Sequence, residues 1–255
     1  MVYDLSPFSA LTVPDFGGHE GQWAVAGLLT VGFTVLARLV RGVTNSGAVA
    51  GAFSCFVLYL GGGPGAFAAL VTVFALAWIT TRLGYSRKQK LGTAERREGR
   101  KASQILANLG IATACAAASI LSHDRTLFLL AMAATLSEAA ADTVSSEVGQ
   151  AFGEQARLIT TWRSVPAGTD GGVSLIGTTA GVVAAGVVSS ICVLGGLLPR
   201  RWLVISTGAA ILGMIADSFL GAGLERRRLV NNDLVNFLGT LIAAAAAVWL
   251  ARIHL

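Results

Sequence analysis

Three carboxylates (Glu138, Asp142 and Glu147) and four hydroxyls crowd SEAAADTVSSEVG at 137–149, the end of an otherwise apolar run. Ionisable side chains inside a bilayer are costly and mark a functional site by default. Glu138, Asp142, Ser145 and Gly149 follow i, i+4, i+7, i+11 spacing and share one helix face, with Ser146 and Glu147 to either side. Asp217 lies in a second apolar run, GMIADSFLGAGLE, and NNDLVNF opens a third with Asn231, Asn232, Asp233 and Asn236. Carboxylates without matching cations repel one another, so they take up protons or hold a metal. Hard oxygen ligands suit Mg2+, which is usually held by one or two carboxylates plus substrate phosphates. The expected metal ligands are therefore Asp142, Asp217 and Asp233, and the expected catalytic acids are Asp142, Glu147 and Asp217. Glu138 lies deeper and reads either as a supporting or as a packing residue, beside Ser145, Ser146, Asn232 and Asn236.

AGTDGGVSLIGTTAG at 167–181 is a glycine-rich approach to a helix. Gly168, Gly171 and Gly172 let backbone come close to a ligand, Thr169 and Ser174 add hydroxyls, and the helix start is a natural anion site. Asp170 reads either as part of that site or as the helix cap. The Walker pattern GxxxxGK[ST] is absent. Arg163 is close by in sequence, and Arg100 and Lys101 open the helix that carries Asn108; all three are expected phosphate contacts. Asn45 and Ser46, in GVTNSGAVAGAF, begin another helix and could also reach phosphate.

These residues need a membrane scaffold to place them. Of the 255 residues 54% are hydrophobic and 13% charged, with 31 glycines, whereas soluble domains are about 25% charged. Eight apolar segments are expected, at about 22–40, 46–60, 65–82, 102–121, 126–149, 171–194, 202–223 and 234–252. The fold class is an all-α polytopic bundle of six to eight spans in a single domain, 1–255. An extra-membrane segment is expected at 1–21 and a basic loop at 83–101. Sheet is not expected, because open strand edges cannot face lipid. The N-terminal stretch has no basic region before its apolar residues, unlike a signal peptide. The scattered Cys55, Cys115 and Cys192 show neither metal nor disulfide spacing.

Alternate connections hold Arg38 and Arg41, the run Arg82 to Lys101, Arg157 and Arg163, and Arg226 to Arg228: 15 of the 19 Lys and Arg. The net charge of +5 thus reads as a loop bias rather than as nucleic-acid binding. It puts these loops in the cytoplasm and both termini outside. Asp142, Asp217, the glycine turn and NNDLVNF then fall at similar depth near one membrane face.

RKASQILAN, EAAADTVSSEVG, RLITTWRSVPAGTDGGVSLIGTTAG and DSFLGAGLE with NNDLVNFLGT resemble the integral-membrane family that includes phytyl-phosphate kinase and transmembrane protein 19. That resemblance implies phosphorylation of an isoprenoid monophosphate, such as phytyl or geranylgeranyl phosphate, by a nucleoside triphosphate, with CTP the expected donor and Mg2+ the cofactor. The layout is more distantly similar to CTP-dependent polyprenol kinases and phosphatidate cytidylyltransferases, though VPAGTDGG lacks the histidine that the latter carry between their glycines. The expected partners are the bilayer and the prenyl phosphate, with its tail between helices in lipid and with room for an oligomer. The expected location is a bacterial plasma membrane or a plastid membrane. Two alternatives remain open at this point: a transporter of an anionic solute, and a cytidylyltransferase acting on a lipid phosphate.

Overall fold

The computed structural model describes residues 18–254, so most of the expected N-terminal segment lies outside the described residues. Among the described residues seven helices are long and apolar enough to cross a membrane. They are α1 (Gly18–Leu39), α2 (Asn45–Arg82), α4 (Ala102–Leu121), α5 (Arg125–Phe152), α6 (Leu175–Leu194), α7 (Leu203–Leu220) and α8 (Asn232–His254). A short helix, α3 (Tyr85–Leu91), lies within the basic loop.

Helix α2 is 38 residues long, about 57 Å if straight and nearly twice the hydrocarbon thickness. It is instead a hairpin. Gly63 has φ 65° and ψ −156°, outside helical space, and Pro64 restarts the helix, where its missing N–H costs nothing. The Val40 carbonyl accepts from Trp78 Nε1 at 3.0 Å and from Arg82 Nη2 at 2.8 Å, so the end of α2 returns to where it began. The Tyr59 and Phe67 rings lie 6.4 Å apart across the bend. The expected segments at 46–60 and 65–82 are the two arms, and eight apolar rods result.

Helix α5 is the axis. Of its apolar window 78% is buried, against 17–39% for the other spans, and it packs on α2, α4, α6, α7 and α8. A buried chain of hydroxyls, Ser137–Ser189 at 2.9 Å and Ser189–Ser206 at 3.0 Å, ties α5 to α6 and α7, as polar groups do between membrane helices.

The basic connections meet at one end of the bundle. Thr44 N–H donates to the Arg100 carbonyl at 3.0 Å, Arg87 donates to the Gly153 carbonyl, and Lys101 Nζ lies 4.0 Å from Asp233 Oδ2. At the opposite end Arg125 Nη2 and Ser119 Oγ both donate to the Gly61 carbonyl, at 3.0 and 3.2 Å. The connection after α5 adds the one piece of sheet among the described residues to an otherwise all-α bundle. It folds as a small antiparallel sheet in which β1 (Ala156–Leu158) lies between β2 (Ser164–Val165) and β3 (Gly172–Val173). Because it belongs to the connecting segment, the rule against strand edges in lipid is not violated.

Close backbone approach holds the hairpin bend against the bundle. A Cβ at Gly65 would lie 2.5 Å from the Gly195 carbonyl oxygen. Gly65→Leu should therefore lower stability by about 1–3 kcal/mol or more, read as a lower melting temperature in detergent; an unchanged melt would show that the bend is loose.

Candidate functional site

A polar cavity of about 530 Å3 opens at the basic end, within the usual range for a small-molecule site. Asp142 and Asp217 are set in its wall with their carboxylates within hydrogen-bonding reach of each other. Asp217 Oδ2 is buried with no hydrogen-bond partner among the described residues. Glu138 lies one turn deeper than Asp142, at 1% exposure, and its Oε1 is likewise unpartnered there. Gly239 makes room for both acids: a Cβ on it would stand 2.7 Å from Glu138 Oε1 and 3.3 Å from Asp217 Oδ2. Arg100 lines the same cavity as Asp142, and its Nη2 donates to Thr143 Oγ1 at 3.5 Å.

The wall facing these acids is the glycine turn. Gly168, Thr169, Asp170, Gly171, Gly172 and Ser174 all border the cavity. Gly171 has φ +71°, and a Cβ there would run into Ala222, so only glycine allows the turn to rest on the end of α7. This contact sets the turn beside Asp217, one helical turn back along the chain. Thr169 is turned inward on its own loop, its hydroxyl donating to the Pro166 carbonyl at 2.7 Å. The cap of α6 is Ser174, whose Oγ accepts from Gly177 N–H at 3.2 Å. The alternative with Asp170 as the cap is therefore corrected: three residues of sheet and turn separate it from the helix.

Ser145, Ser146, Asn108, Asn232 and Asn236 also line the cavity. Asp233 does not line it; Asn232 and Asn236 share the facing side of α8, and Asp233, next after Asn232, is rotated about 100° away, toward Lys101. Lys101 and Arg163 are exposed and lie outside the cavity lining. Asn45 and Ser46 serve the helix junction instead: Asn45 Oδ1 accepts from Arg38 Nε at 2.7 Å, and Ser46 Oγ accepts from Ala102 N–H at 3.4 Å.

Glu147 borders the cavity but is already engaged. It forms an ion pair with Lys88 at 2.5 Å and accepts from Thr81 Oγ1 at 3.1 Å. Lys88 is fully buried and also donates to the Thr80 and Thr81 carbonyls, at 3.0 and 2.8 Å. The basic segment is thus pinned to α5 from inside, not solvated throughout. This pairing fits a positioning role for Glu147 better than a catalytic one.

The residue reasoning missed is Glu225. It belongs to a π-helical turn, Gly221–Glu225, closed by Arg226 N–H on the Gly221 carbonyl at 3.0 Å. The widened turn rotates Glu225 back onto the face of Asp217, and both line the cavity. The signal available was its place at the end of DSFLGAGLE, where a glycine-spaced helix end admits such a bulge.

Among the described residues no three His, Cys, Asp or Glu side chains converge as an all-protein metal site, so an Asp142–Asp217–Asp233 triad does not form. The facing Asp142 and Asp217, with a buried oxygen left unpaired, do suit a magnesium ion completed by waters and phosphates.

A family model for "Integral membrane protein DUF92" matches residues 28–244. The chain belongs to this family. Protein VTE6, chloroplastic, of Arabidopsis thaliana is 29% identical over 82% of this chain and 66% of its own length, so the chain spans just under two thirds of that relative. Two uncharacterised membrane proteins, one from Synechocystis and one from Methanocaldococcus jannaschii, are 34% and 31% identical over 70% and 84% of the chain and 71% and 89% of their own lengths. No solved structure gives a significant match.

Lys88→Met leaves the Glu147 carboxylate without its cation at the edge of the cavity and should cost about 1–3 kcal/mol of stability. The double variant Lys88→Met/Glu147→Leu should recover most of it, measured by unfolding in detergent and by protease cleavage within 83–101.

Proposed function

We propose that this membrane protein transfers a phosphoryl group from a nucleoside triphosphate, with CTP the favoured donor, to an isoprenoid monophosphate. The products are the prenyl diphosphate and the nucleoside diphosphate. One observation carries the reading: a half-buried, facing pair of carboxylates, Asp142 and Asp217, opposite a glycine turn in a cavity sized for polyphosphate. The sequence resemblance to phytyl-phosphate kinase and the relation to the chloroplast protein support it.

Phosphoryl transfer requires positioning and charge neutralisation more than covalent help. An oxygen of the acceptor monoester attacks the terminal phosphorus of the donor, and the bond from that phosphorus to the bridging oxygen breaks. The ionised monoester is itself the nucleophile, so no strong base is needed. The glycine turn and the start of α6 cradle donor phosphates, and Arg100 neutralises charge where donor and acceptor meet. A magnesium ion held by Asp142 and Asp217 would draw negative charge off the transferred group. Glu225 and Asn236 would orient the waters and phosphates around it. The loop charge bias supports a cytoplasmic or stromal position for this end.

Asp142→Asn and Asp217→Asn should each lower turnover by about 100-fold or more while the protein stays folded and membrane-inserted. The assay is purified protein with prenyl phosphates, Mg2+ and each nucleoside triphosphate, the products identified by mass. Full activity in both variants would overturn the assignment of the acids. Release of pyrophosphate would make the protein a nucleotidyltransferase, and vesicle uptake without turnover would make it a transporter.

A further inference from the structure

A second cavity, of about 390 Å3, adjoins the polar one. Its walls are apolar: Phe33 of α1, Gly51, Leu70 and Phe74 of the two α2 arms, and Ile105 of α4. Its mouth is cationic, with Arg41, Arg82, Arg96, Arg97 and Arg100 around it. Glu95, Arg100, Gln104, Asn108 and Thr143 line both cavities, Glu95 accepting from Gln104 Nε2 at 2.9 Å, so one layer of side chains joins the apolar space to the acid-lined one.

The shape is a shaft. From Arg82 at the mouth to Leu70 is twelve residues of helix, about 18 Å. At depth, the Phe33 ring meets those of Phe67 and Phe74 edge-on, at 5.8 and 5.3 Å. An apolar shaft under a rim of guanidiniums matches a ligand with a hydrocarbon body and an anionic head: the wall is mostly apolar and offers few hydrogen bonds to a polar body, and arginines bind phosphate with bidentate geometry. A head held at Arg100 would also border the polar cavity.

We propose that this shaft holds the hydrocarbon tail of the acceptor phosphate, and that the space beside Gly51 sets the longest tail accepted. The proposal rests on the prenyl-phosphate reading above. It replaces the expectation that the tail lies in bulk lipid between helices. Gly51 is the deepest lining residue on the first arm of α2, about 9 Å below its start. A Cβ added there meets nothing within 4 Å, whereas Gly47, one turn nearer the mouth, is pressed against the Arg100 backbone. Gly51 is thus the position in this wall where bulk enters the shaft without moving backbone.

The test is a binding measurement on the full chain in nanodiscs, using geranylgeranyl phosphate that carries a photoreactive group at the tail end. Labelled peptides are mapped, and unlabelled geranyl, farnesyl and geranylgeranyl phosphates compete. Label is expected within 33–51 and 70–82. Gly51→Phe should weaken geranylgeranyl phosphate by about tenfold or more while leaving geranyl phosphate nearly unchanged. Leu70→Ala, which enlarges the shaft, should improve the longest tail relative to the shortest. Label on the lipid-facing groove of α6 around Ile176 and Val183, or loss of all tail lengths alike in Gly51→Phe, would overturn the proposal. Equal competition by phosphatidate would also overturn it, in favour of a bulk phospholipid. Binding is read without turnover, so label in the shaft with no product formed counts against the kinase reading alone.

Discussion

The bundle is organised around carboxylates set into apolar helices without enough cations. Asp142, Asp217 and Glu138 lie close together on α5 and α7, and two of their oxygens find no hydrogen-bond partner among the described residues. Such groups are intolerable against lipid, so the helix that bears two of them has to be the central one. The burial of α5 on five neighbouring helices is the consequence. The small residues of α7 and α8 follow as well: Gly213 and Gly239 leave the volume that the Glu138 side chain fills. Glu138 is shut off from solvent, while Asp142 and Asp217 stand half-buried in the cavity wall, where their attraction for positive charge reaching the cavity is screened less than in bulk water.

The helix ends that face these acids are irregular, each for a local reason. A π-turn follows α7, a three-stranded sheet precedes α6, and a short buried-lysine helix precedes α4. Regular helix would have carried Glu225 off the face of Asp217 and kept the glycine turn from reaching Ala222. The irregular backbone occurs at the polar end, where it borders a cavity and its unpaired groups can be satisfied. The opposite end, where the hairpin bend of α2 meets the turns after α4 and α6, is closed by small residues and backbone contacts. Rigidity at one end and open polar groups at the other are what a site on a membrane face requires.

Arg100 joins the two halves of the site. Its backbone is fixed by the Gly42 and Thr44 groups of the α1–α2 connection, and its guanidinium lies between an acid-lined cavity and an apolar one. The buried Lys88–Glu147 pair locks the preceding segment, so the arginines of that segment ring the apolar mouth instead of dispersing. Polar and apolar chemistry thus meet at one guanidinium, the arrangement that a reaction between a water-soluble donor and a lipid-borne acceptor calls for.

The sequence by itself determined the rods and which acids are set into them. Hydropathy marked the spans, including both arms of α2, because twenty-odd apolar residues in lipid have no stable alternative to a helix. Asp142 and Asp217 stood out because charge in an apolar run is expensive, and the basic-loop pattern predicted that they would share one end. It misjudged residues whose role depends on a partner distant in sequence. Lys88 reads as one more loop cation until Glu147 meets it, Glu225 as a helix end until the π-turn rotates it, and Asp233 as a ligand until its helix phase points it at Lys101. The apolar shaft was invisible for the same reason: its wall is assembled from α1, two arms of α2, α4 and α5, and a cavity is the space that side chains from separate helices leave unfilled. Composition and periodicity follow from one segment's transfer energy, whereas pairing, phase and voids depend on how several segments pack, and only the tertiary structure decides those.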